Sequence, residues 1–394
     1  MISVSAAREI IQQHTTSLVP VRIKLQEALS CKLAADVWAP IDIPAFPQSS
    51  MDGYAFSFAD WQHTKYLKVI GEMAAGADKY ISIEAGSAVR IFTGAAVPPG
   101  ADTVVMQEKI QLTNGGLVIE DEQLKQGSNL RPKGSEIQKG ELALAAGAFL
   151  TPAAIGFLAG MGITEVTVFP PPAVAILITG NELQTPGHDL AYGQVYDSNS
   201  FALTAVLKQY GIQKVKLMQA PDDLHILTQQ LSLALDSGDI VLLTGGVSVG
   251  DYDFVVEAAK RCHVQTHFHK LKQKPGKPLF FGTKDKKLVF GLPGNPSSVL
   301  TCFYMYVLPA IMQICGKQSA LPVKQVPIKE AYHKQPGLTH FLKGYYDGEG
   351  VKALGAQESY RMRSFAEANC LIEIDEQAAS CEAGTIVNIH MIAI

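Results

Sequence analysis

Two continuous apolar runs constrain the fold of this 394-residue chain more than any other feature. Residues 173–178 and 240–243 contain no polar side chain. Such runs are typical of parallel strands that are buried on both faces. Because both faces of such a sheet must be covered, helices have to alternate with the strands. The runs therefore predict a doubly wound α/β domain.

The rest of the pattern between residues 172 and 318 agrees with this interpretation. Helical spacing predicts helices at 201–210, 224–235, 254–259 and 297–314, and β-type runs predict strands at 215–218 and 288–290. The stiff sequence Pro170-Pro171-Pro172 precedes the first apolar strand and marks a domain boundary. We therefore assign residues 172–318 to the α/β domain.

The flanking regions have a different pattern. Residues 1–171 are interpreted as β-rich N-terminal lobes, with about 1–45 and 140–171 forming one lobe and about 46–139 forming an inserted lobe. Helical patterns at 1–18 and 152–161 and β-type runs at 65–70, 88–92 and 103–106 lie in this region. Residues 319–394, with strands at 371–374 and 386–389, predict a small, barrel-like β domain. The chain is thus an α/β multidomain protein.

Composition excludes several classes of protein. The formal net charge is −4, which argues against a nucleic-acid partner or an anionic membrane surface. The most apolar stretch, 299–315, contains Pro309 and is shorter than the roughly 20 residues of a membrane span, so it predicts a buried helix. The six cysteines are sparse and form no C-x-x-C pair, which favours reduced thiols in the cytoplasm over structural zinc. The N-terminus lacks the pattern of a signal peptide.

Three glycine-rich loops follow predicted strands. They are Thr179-Gly180-Asn181-Glu182, the segment 244–253 and Gly291-Leu292-Pro293-Gly294-Asn295-Pro296. Ligands of open α/β sheets bind beyond the carboxyl ends of the strands, and glycine lets backbone N–H groups approach an anion. Each loop alone is equally consistent with a simple turn, and Ser297 with a helix N-cap. Three such loops at one sheet edge favour a binding site.

The second of these loops allows another interpretation. Gly246-Val247-Ser248-Val249-Gly250 matches the G-x-S-x-G nucleophile elbow, which makes a serine hydrolase using Ser248 an alternative function. No His-Gly-Gly-Gly oxyanion motif precedes it. An ester-binding pocket also does not need the acids and lysines found nearby.

Charged residues outside the loops complete the chemical pattern. Residues 270–278 contain four lysines, and Lys270, Lys272 and Lys274 would share one face of a strand, either as a solvated edge or as an oxyanion site. Asp52 before Gly53 predicts either a hairpin turn or a ligand, and Thr93 either a strand end or a hydroxyl ligand. His263, His267 and His269 lack zinc-motif spacing. Carboxylates, lysines and glycine loops together indicate phosphate-ester or nucleotide chemistry with a hard divalent cation.

Several strings together resemble the MoeA family of molybdopterin molybdenumtransferases, to which the gephyrin E-domain is similar. They occur in the family's order and span nearly the whole chain: Met51-Asp52-Gly53-Tyr54-Ala55, Thr93-Gly94-Ala95-Ala96-Val97-Pro98, Gly245-Gly246-Val247-Ser248-Val249-Gly250, Lys274-Pro275-Gly276-Lys277-Pro278 and Gly291-Leu292-Pro293-Gly294-Asn295-Pro296. The resemblance extends to Asn129-Leu130-Arg131 and to 364–369. It implies a MogA-like molybdopterin-binding α/β domain.

The resemblance also implies a reaction. Adenylated molybdopterin and molybdate would give molybdenum cofactor and AMP, with Mg²⁺ as the cofactor. The catalytic residues it implies are Asp52, Thr93, Glu182, Asp222, Asp253, Lys270 and Lys274. The substrate-binding residues it implies are Arg131, Thr179, Gly180, Gly245, Gly246, Ser248, Gly250, Pro293, Gly294, Asn295 and Pro296. The metal ligands it implies are Asp52, Glu182 and Asp253. Either Asp222 or the adjacent Asp223 could match the family's acid.

The family's quaternary structure implies a homodimer whose site lies between the β lobe of one subunit and the α/β domain of the other. The resemblance further implies molybdoenzymes as cofactor acceptors. The cysteine content predicts a cytoplasmic location, and the net charge predicts neither nucleic-acid nor membrane partners. Ser248 then becomes part of a substrate loop. A non-catalytic molybdopterin carrier remains a second alternative.

Overall fold

The structure is a computed structural model that describes residues 1–79, 81–114, 116–246, 254–317 and 321–392. Contacts divide the chain into two compact units. The α/β unit comprises Met1–Val21, Ser30–Lys32 and Val168–Ile394, and the β-rich unit comprises Arg22–Leu29 and Leu33–Thr167. The domain limits at 171 and 318 stay predictions.

Short strands predominate at both ends of the chain, and longer helices lie between. The helices are α1 (Val4–His14), α2 (Phe58–Thr64), α3 (Pro152–Gly160), α4 (Asn199–Gln209), α5 (Leu224–Ser237), α6 (Val255–Arg261), α7 (Pro296–Cys302), α8 (Leu308–Ile314) and α9 (Arg363–Glu367). The strands of the first half are β1 (Val21–Lys24), β2 (Lys32–Leu33), β3 (Val37–Trp38), β4 (Gln48–Ser49), β5 (Gly53–Phe56), β6 (Lys68–Met73), β7 (Ser87–Ile91), β8 (Thr103–Met106), β9 (Ile110–Thr113), β10 (Gly116–Ile119), β11 (Leu130–Arg131), β12 (Leu142–Leu144), β13 (Glu165–Phe169) and β14 (Val174–Thr179). Those of the second half are β15 (Leu183–Gln184), β16 (Val195–Tyr196), β17 (Val215–Ala220), β18 (Ile240–Thr244), β19 (Gln265–Phe268), β20 (Gln273–Lys274), β21 (Phe280–Lys284), β22 (Lys287–Leu292), β23 (Val323–Pro327), β24 (Tyr332–His333), β25 (Thr339–Tyr346), β26 (Val351–Ala353), β27 (Cys370–Ile374), β28 (Ser380–Cys381) and β29 (Ile386–Met391).

The α/β unit contains the sheet that the apolar runs predicted. Its strand order is β17-β14-β18-β22-β21-β19. The first four strands are parallel, β21 runs antiparallel to β22, and β19 runs antiparallel to β21. Since parallel neighbours run in register, the carboxyl ends of β17, β14, β18 and β22 meet at one edge.

Alternation along β14 divides the interior into two cores. Val174, Ile176 and Ile178 belong to one apolar cluster, with α4 and the helices after residue 296, whereas Ala175 and Leu177 belong to another, with α5 and α6. Every residue of β14 and β18 is buried. The sheet is therefore covered on both faces, as the sequence predicted.

The apolar stretch near residue 300 forms a core helix with an interruption. α7 and α8 are joined by a π-helical turn, Phe303–Val307, so the predicted helix at 297–314 is present but not regular. The prediction that Ser297 is the N-cap of this helix is wrong. Asn295 occupies that position because Pro296, which needs no N–H partner, takes the first helical turn.

This helix passes a length-and-composition test for a membrane span. Within Pro296–Ile314, 89% of the tested window is buried inside the protein. Burial of this extent is typical of a core helix and agrees with the sequence interpretation.

The C-terminal sheet lies in the same unit. Its strand path is β20-β25-β27-β29-β23, with β26 on β25. The C-terminal segment is not purely β-structured, since it includes α9. The edge strand β20 of its sheet comes from the part of the sequence that was assigned to the α/β domain.

Arg8 of α1 pairs with Glu373 of β27 at 3.1 Å, and His390 of β29 contacts the same carboxylate at 2.6 Å. Although burial opposes it, the hydrogen bond from His390 and the charge of Arg8 lower the pKa of Glu373 to about 2.

The β-rich unit contains a four-stranded sheet in the order β6-β7-β5-β8. Its central strand β5 is completely buried. The strand predicted at 65–70 begins later, at Lys68, because Lys65 adopts a left-handed conformation that ends α2. The hairpin interpretation of Asp52-Gly53 is wrong, since β5 pairs with β7 and β8 and not with the strand before it.

The packing around Gly53 leads to a first prediction, because the neighbouring strand β8 lies too close to Gly53 to leave room for a side chain. A Cβ at Gly53 would lie 1.8 Å from the carbonyl oxygen of Val105. We expect Gly53→Ala to lower the free energy of unfolding by about 3 kcal/mol or more. Gly156→Ala is the control: Gly156 lies inside α3 with open space around it, so about 0.5–1 kcal/mol of stabilisation is expected. Urea denaturation measures both, and equal effects would contradict the close-approach argument.

His340 generates a second prediction. Burial, and then the charges of Lys334 and Lys274, lower the pKa of His340 to about 4. The unfolded chain takes up this proton near pH 6.5 and the native chain near pH 4, so stability is lost as the pH falls between these values. Wild type should lose about 2 kcal/mol more than His340→Gln between pH 7 and pH 5. Identical pH dependence of the two denaturation midpoints would refute this assignment.

Candidate functional site

A cavity of about 650 Å³ lies at the carboxyl edge of the α/β sheet. Loops that follow β14, β17, β18 and β22 meet there with the segment after β20. The predicted site residues that line this cavity are Thr179, Gly180, Glu182, Asp222, Gly245, Gly246, Lys274, Pro293, Gly294 and Asn295. The structure therefore brings together residues that are more than 100 positions apart in the chain.

Asp222 is held at the cavity by the neighbouring strand end. The hydroxyl of Thr179 donates to Asp222 Oδ1 at 2.7 Å, and the backbone N–H of Asn181 donates to Oδ2 at 3.3 Å. The Asn181 side chain accepts from the Asp222 N–H at 3.2 Å. Two loops are thereby fastened to each other, and the carboxylate keeps lone pairs for a cation or a substrate donor.

The structure separates the two adjacent acids that the sequence left ambiguous. Asp223 is the N-cap of α5, and its carboxylate accepts from the N–H of Ile226 at 2.8 Å. Asp222 lines the cavity instead. Of the two acids, Asp222 therefore lies at the cavity and Asp223 caps α5.

Gly245 allows two strand ends to approach closely. It has φ +88°, and a Cβ there would lie 2.3 Å from the carbonyl oxygen of Thr179. Gly245 and Gly246 line the cavity and have no side chains of their own to cover their backbone there. Such a surface suits the close approach of an anionic group.

A lysine-bearing loop forms another part of the lining. Lys274 ends β20, which pairs in parallel with β25, and both Lys274 and Lys277 line the cavity with exposed side chains. The expectation that Lys270, Lys272 and Lys274 share a strand face is wrong, because β20 contains only two residues. Lys272 instead pairs with Glu376 at 2.8 Å, and Lys270 does not line this cavity.

The loop before α7 is anchored from two directions. The Asn199 side chain donates to the carbonyl of Gly294 at 2.8 Å, and the Asn295 side chain donates to the Ser359 hydroxyl at 2.9 Å. Pro296, which was predicted as a binding residue, does not line the cavity and begins α7. The side chains of Asn199 and Asn295 thus hold this loop in place.

Sequence reasoning missed a contribution from the C-terminal segment. Gln357, Glu358 and Ser359 line the cavity. Buried Lys343 holds their backbone, since its ammonium group donates to the carbonyls of Ala356 at 2.7 Å and Arg361 at 3.1 Å. Burial lowers the pKa of Lys343, although Glu358 opposes this. No motif or spacing in the sequence signalled this contact.

The β-rich unit holds the predicted polar residues Asp52, Thr93 and Arg131. The Thr93 N–H and hydroxyl each donate to Asp52 Oδ1 at 2.8 Å, although 41 residues separate them. These two hydrogen bonds, the backbone one first, lower the pKa of Asp52, which is exposed as a carboxylate at neutral pH. Arg131, in β11, is also exposed and pairs in register with Gln48 of β4.

Some predicted residues are not part of this arrangement. Ser248, Gly250 and Asp253 lie outside the described residues. Of the three nearby histidines, His267 stacks on His14 with 3.8 Å between ring centroids. Within the described ranges, no group of three His, Cys, Asp or Glu side chains forms a metal cluster.

Comparisons with known proteins agree on one family. Residues 2–162 match the MoeA N-terminal region (domain I and II), 175–313 match a probable molybdopterin binding domain, and 325–392 match the MoeA C-terminal region (domain IV). A molybdopterin molybdenumtransferase of Haemophilus influenzae is 35% identical over 93% of this chain and 93% of its own length. One of Staphylococcus epidermidis is 33% identical over 98% and 94%.

Solved structures give the same result. The molybdopterin biosynthesis MoeA protein of Pyrococcus horikoshii is similar with a TM-score of 0.81 and 29% identity, over 99% of both chains. Sequence and fold thus match along the whole length of the protein. The chain therefore belongs to the MoeA family of molybdopterin molybdenumtransferases.

Proposed function

We propose that this enzyme inserts molybdate into adenylated molybdopterin and releases AMP and molybdenum cofactor. The cavity at the sheet edge carries the proposal, because it combines acids, lysines and bare glycine backbone within about 650 Å³. A cavity of this size suits a nucleotide-sized ligand. The names of the relatives support the same chemistry.

The lysines and the glycine backbone of the lining suit different parts of the substrates. Molybdate is a tetrahedral dianion, so the exposed ammonium groups of Lys274 and Lys277 can bind its oxygens. The backbone of Gly245 and Gly246 can approach the diphosphate of adenylated molybdopterin. The two thiols of the molybdopterin dithiolene form Mo–S bonds, and their two protons go to the molybdate oxygen that leaves as water. Hydrogen bonds from ammonium groups stabilise this oxygen as it departs.

Mg²⁺ fits the donor set that the cavity offers. This ion binds to hard oxygen ligands and commonly uses one or two carboxylates together with substrate phosphates and water. Glu182 and Asp222 both line the cavity and would hold it there. When bound, Mg²⁺ would neutralise phosphate charge as water cleaves the diphosphate and AMP leaves. The wider ligand set of Asp52, Glu182 and Asp253 remains a prediction.

Assembly and location are part of the proposal. We propose a cytoplasmic homodimer in which Asp52, Thr93 and Arg131 act together with the second subunit's α/β domain. Resemblance of the motifs supports this arrangement. Acceptor molybdoenzymes would then receive the cofactor. A barrel-like form of the C-terminal domain is proposed on the same basis.

Neither a hydrolase using Ser248 nor a non-catalytic carrier gains support from the relatives.

AMP release from adenylated molybdopterin tests the activity directly. With Mg²⁺ present, wild type should release AMP only when molybdate is added. Lys274→Ala should reduce that rate by about 100-fold or more, because a charge that binds the oxyanion is lost. Lys272→Ala is the matched control and should retain the rate, since Lys272 does not line the cavity and its partly exposed ion pair with Glu376 is worth about 1 kcal/mol or less.

Each contrary outcome has a distinct meaning. Tight substrate binding without release by wild type would favour the carrier. Labelling of Ser248 by a fluorophosphonate probe would favour the hydrolase. A fully active Lys274→Ala would refute the role of that lysine.

The adjacent acids permit a second test of the same site. Asp222→Asn should lose most AMP release while its stability stays near that of wild type. Asp223→Ser should retain activity, because serine also caps helices, and Asp223→Ala should lose about 1 kcal/mol of stability. AMP release and urea denaturation measure the two effects. The reverse pattern of activities would transfer the functional role to Asp223.

A further inference from the structure

A buried Tyr–Gln pair lies directly beneath the lysine-bearing loop. Gln273 and Tyr306 are each about 1% exposed. The Tyr306 hydroxyl donates a short hydrogen bond to Gln273 Oε1. Burial is the main cause that raises the pKa of Tyr306 well above its ordinary value, so the phenol keeps its proton and remains a donor. A fully buried polar pair of this kind is costly unless every atom is bonded.

The amide of Gln273 satisfies that condition by binding the loop itself. Its Nε2 donates to the carbonyl of Pro275 at 2.9 Å and to that of Gly276 at 3.1 Å. The two amide protons and the amide oxygen are thereby all used. The pair therefore connects the core helix to the backbone that lies between Lys274 and Lys277.

Close packing against α7 also restricts the loop that contains Gly276. Gly276 has φ +83°, and a Cβ there would lie 2.5 Å from the sulfur of Cys302 and 2.9 Å from Gln273 Nε2. Cys302 is fully buried at the end of α7. The loop thus sits on the helix with no spare room, while the Lys274 and Lys277 side chains on either side are exposed at the cavity.

The π-helical turn bears Tyr306. Phe303–Val307 interrupts the regular helix at this point, and π-bulges occur frequently at functional sites. Tyr304, in the same turn, makes different contacts: its ring lies 6.2 Å from that of Phe365. The two tyrosines are thus near neighbours with separate surroundings.

We propose that Tyr306 and Gln273 are positioning residues, which hold Lys274 and Lys277 in the geometry that binds the molybdate or phosphate oxyanion. This inference rests on the function proposed above and adds the means by which the lysines are placed. Gln273 borders the cavity with about 1% of its surface exposed, and the proposed effect does not require contact between the substrate and either side chain. Their effect comes through the backbone of Pro275 and Gly276, because a small displacement of a binding group is enough to weaken catalysis.

Tyr306→Phe tests the proposal with the loss of one oxygen atom. Tyr304→Phe is the matched control from the same turn. In molybdate-dependent AMP release, Tyr306→Phe should raise the KM for molybdate by about 10-fold, with a smaller change in kcat, whereas Tyr304→Phe should leave both unchanged. Hydrogen exchange of the backbone amides of Lys274, Gly276 and Lys277 should become faster in Tyr306→Phe and not in Tyr304→Phe.

A second variant is needed in case the neighbouring residues adjust to phenylalanine at position 306 and keep the loop in place. Gln273→Met removes both hydrogen bonds to the loop, and it should raise the KM and the exchange rate at least as much as Tyr306→Phe. Unchanged exchange in both variants would overturn the proposed anchoring. Faster exchange with an unchanged KM would overturn the positioning role.

The test also distinguishes this inference from the function on which it rests. If wild type itself releases no AMP with molybdate, the proposed function fails. Calorimetric titration with sodium molybdate then replaces the KM as the readout for the same variants. Weaker molybdate binding in Tyr306→Phe but not in Tyr304→Phe would still support the anchor, and equal binding would refute it.

Discussion

Burial of the parallel strands on both faces is the constraint on which the α/β unit depends. Val174, Ile176 and Ile178 enter one core, and the intervening Ala175 and Leu177 enter the other. A strand with no solvated face must be covered by helices on both sides, so each parallel strand is followed by a crossover. The crossovers bring the loops after β14, β17, β18 and β22 to one edge. The cavity is a direct result of that topology.

The site is therefore assembled from parts with different supports. Asp222 is fixed at the strand ends, where the Thr179 hydroxyl and the Asn181 backbone N–H donate hydrogen bonds that limit its motion. The lysine loop depends on buried Gln273 and on the helix beneath it. Buried Lys343 holds the C-terminal segment that completes the lining. Glu182 and Asp222 thus follow strands of the α/β sheet, whereas Lys274 and Lys277 lie in and after β20.

Sequence motifs identified much of this site because backbone conformation restricts residue type. Gly245 is required where the strand ends touch, and Asp223 where α5 begins, so both positions carry a local signal. Lys343, Tyr306 and Gln357 carry none, since their roles depend on contacts with distant parts of the chain. The strand expected from Lys270 to Lys274 failed for a related reason. Its pairing partner β25 lies more than 60 residues away and matches only Gln273 and Lys274.

By itself the sequence determined the α/β sheet, the position of most helices and the glycine loops, because periodicity and backbone restriction act over a few residues. The ordered motifs also determined the family. Only the tertiary structure decided which of Asp222 and Asp223 faces the cavity, which lysines line it, and that a buried tyrosine and glutamine lie beneath the lysine loop. These choices depend on packing between segments far apart in the chain, and local sequence does not encode the direction in which a side chain meets such a neighbour.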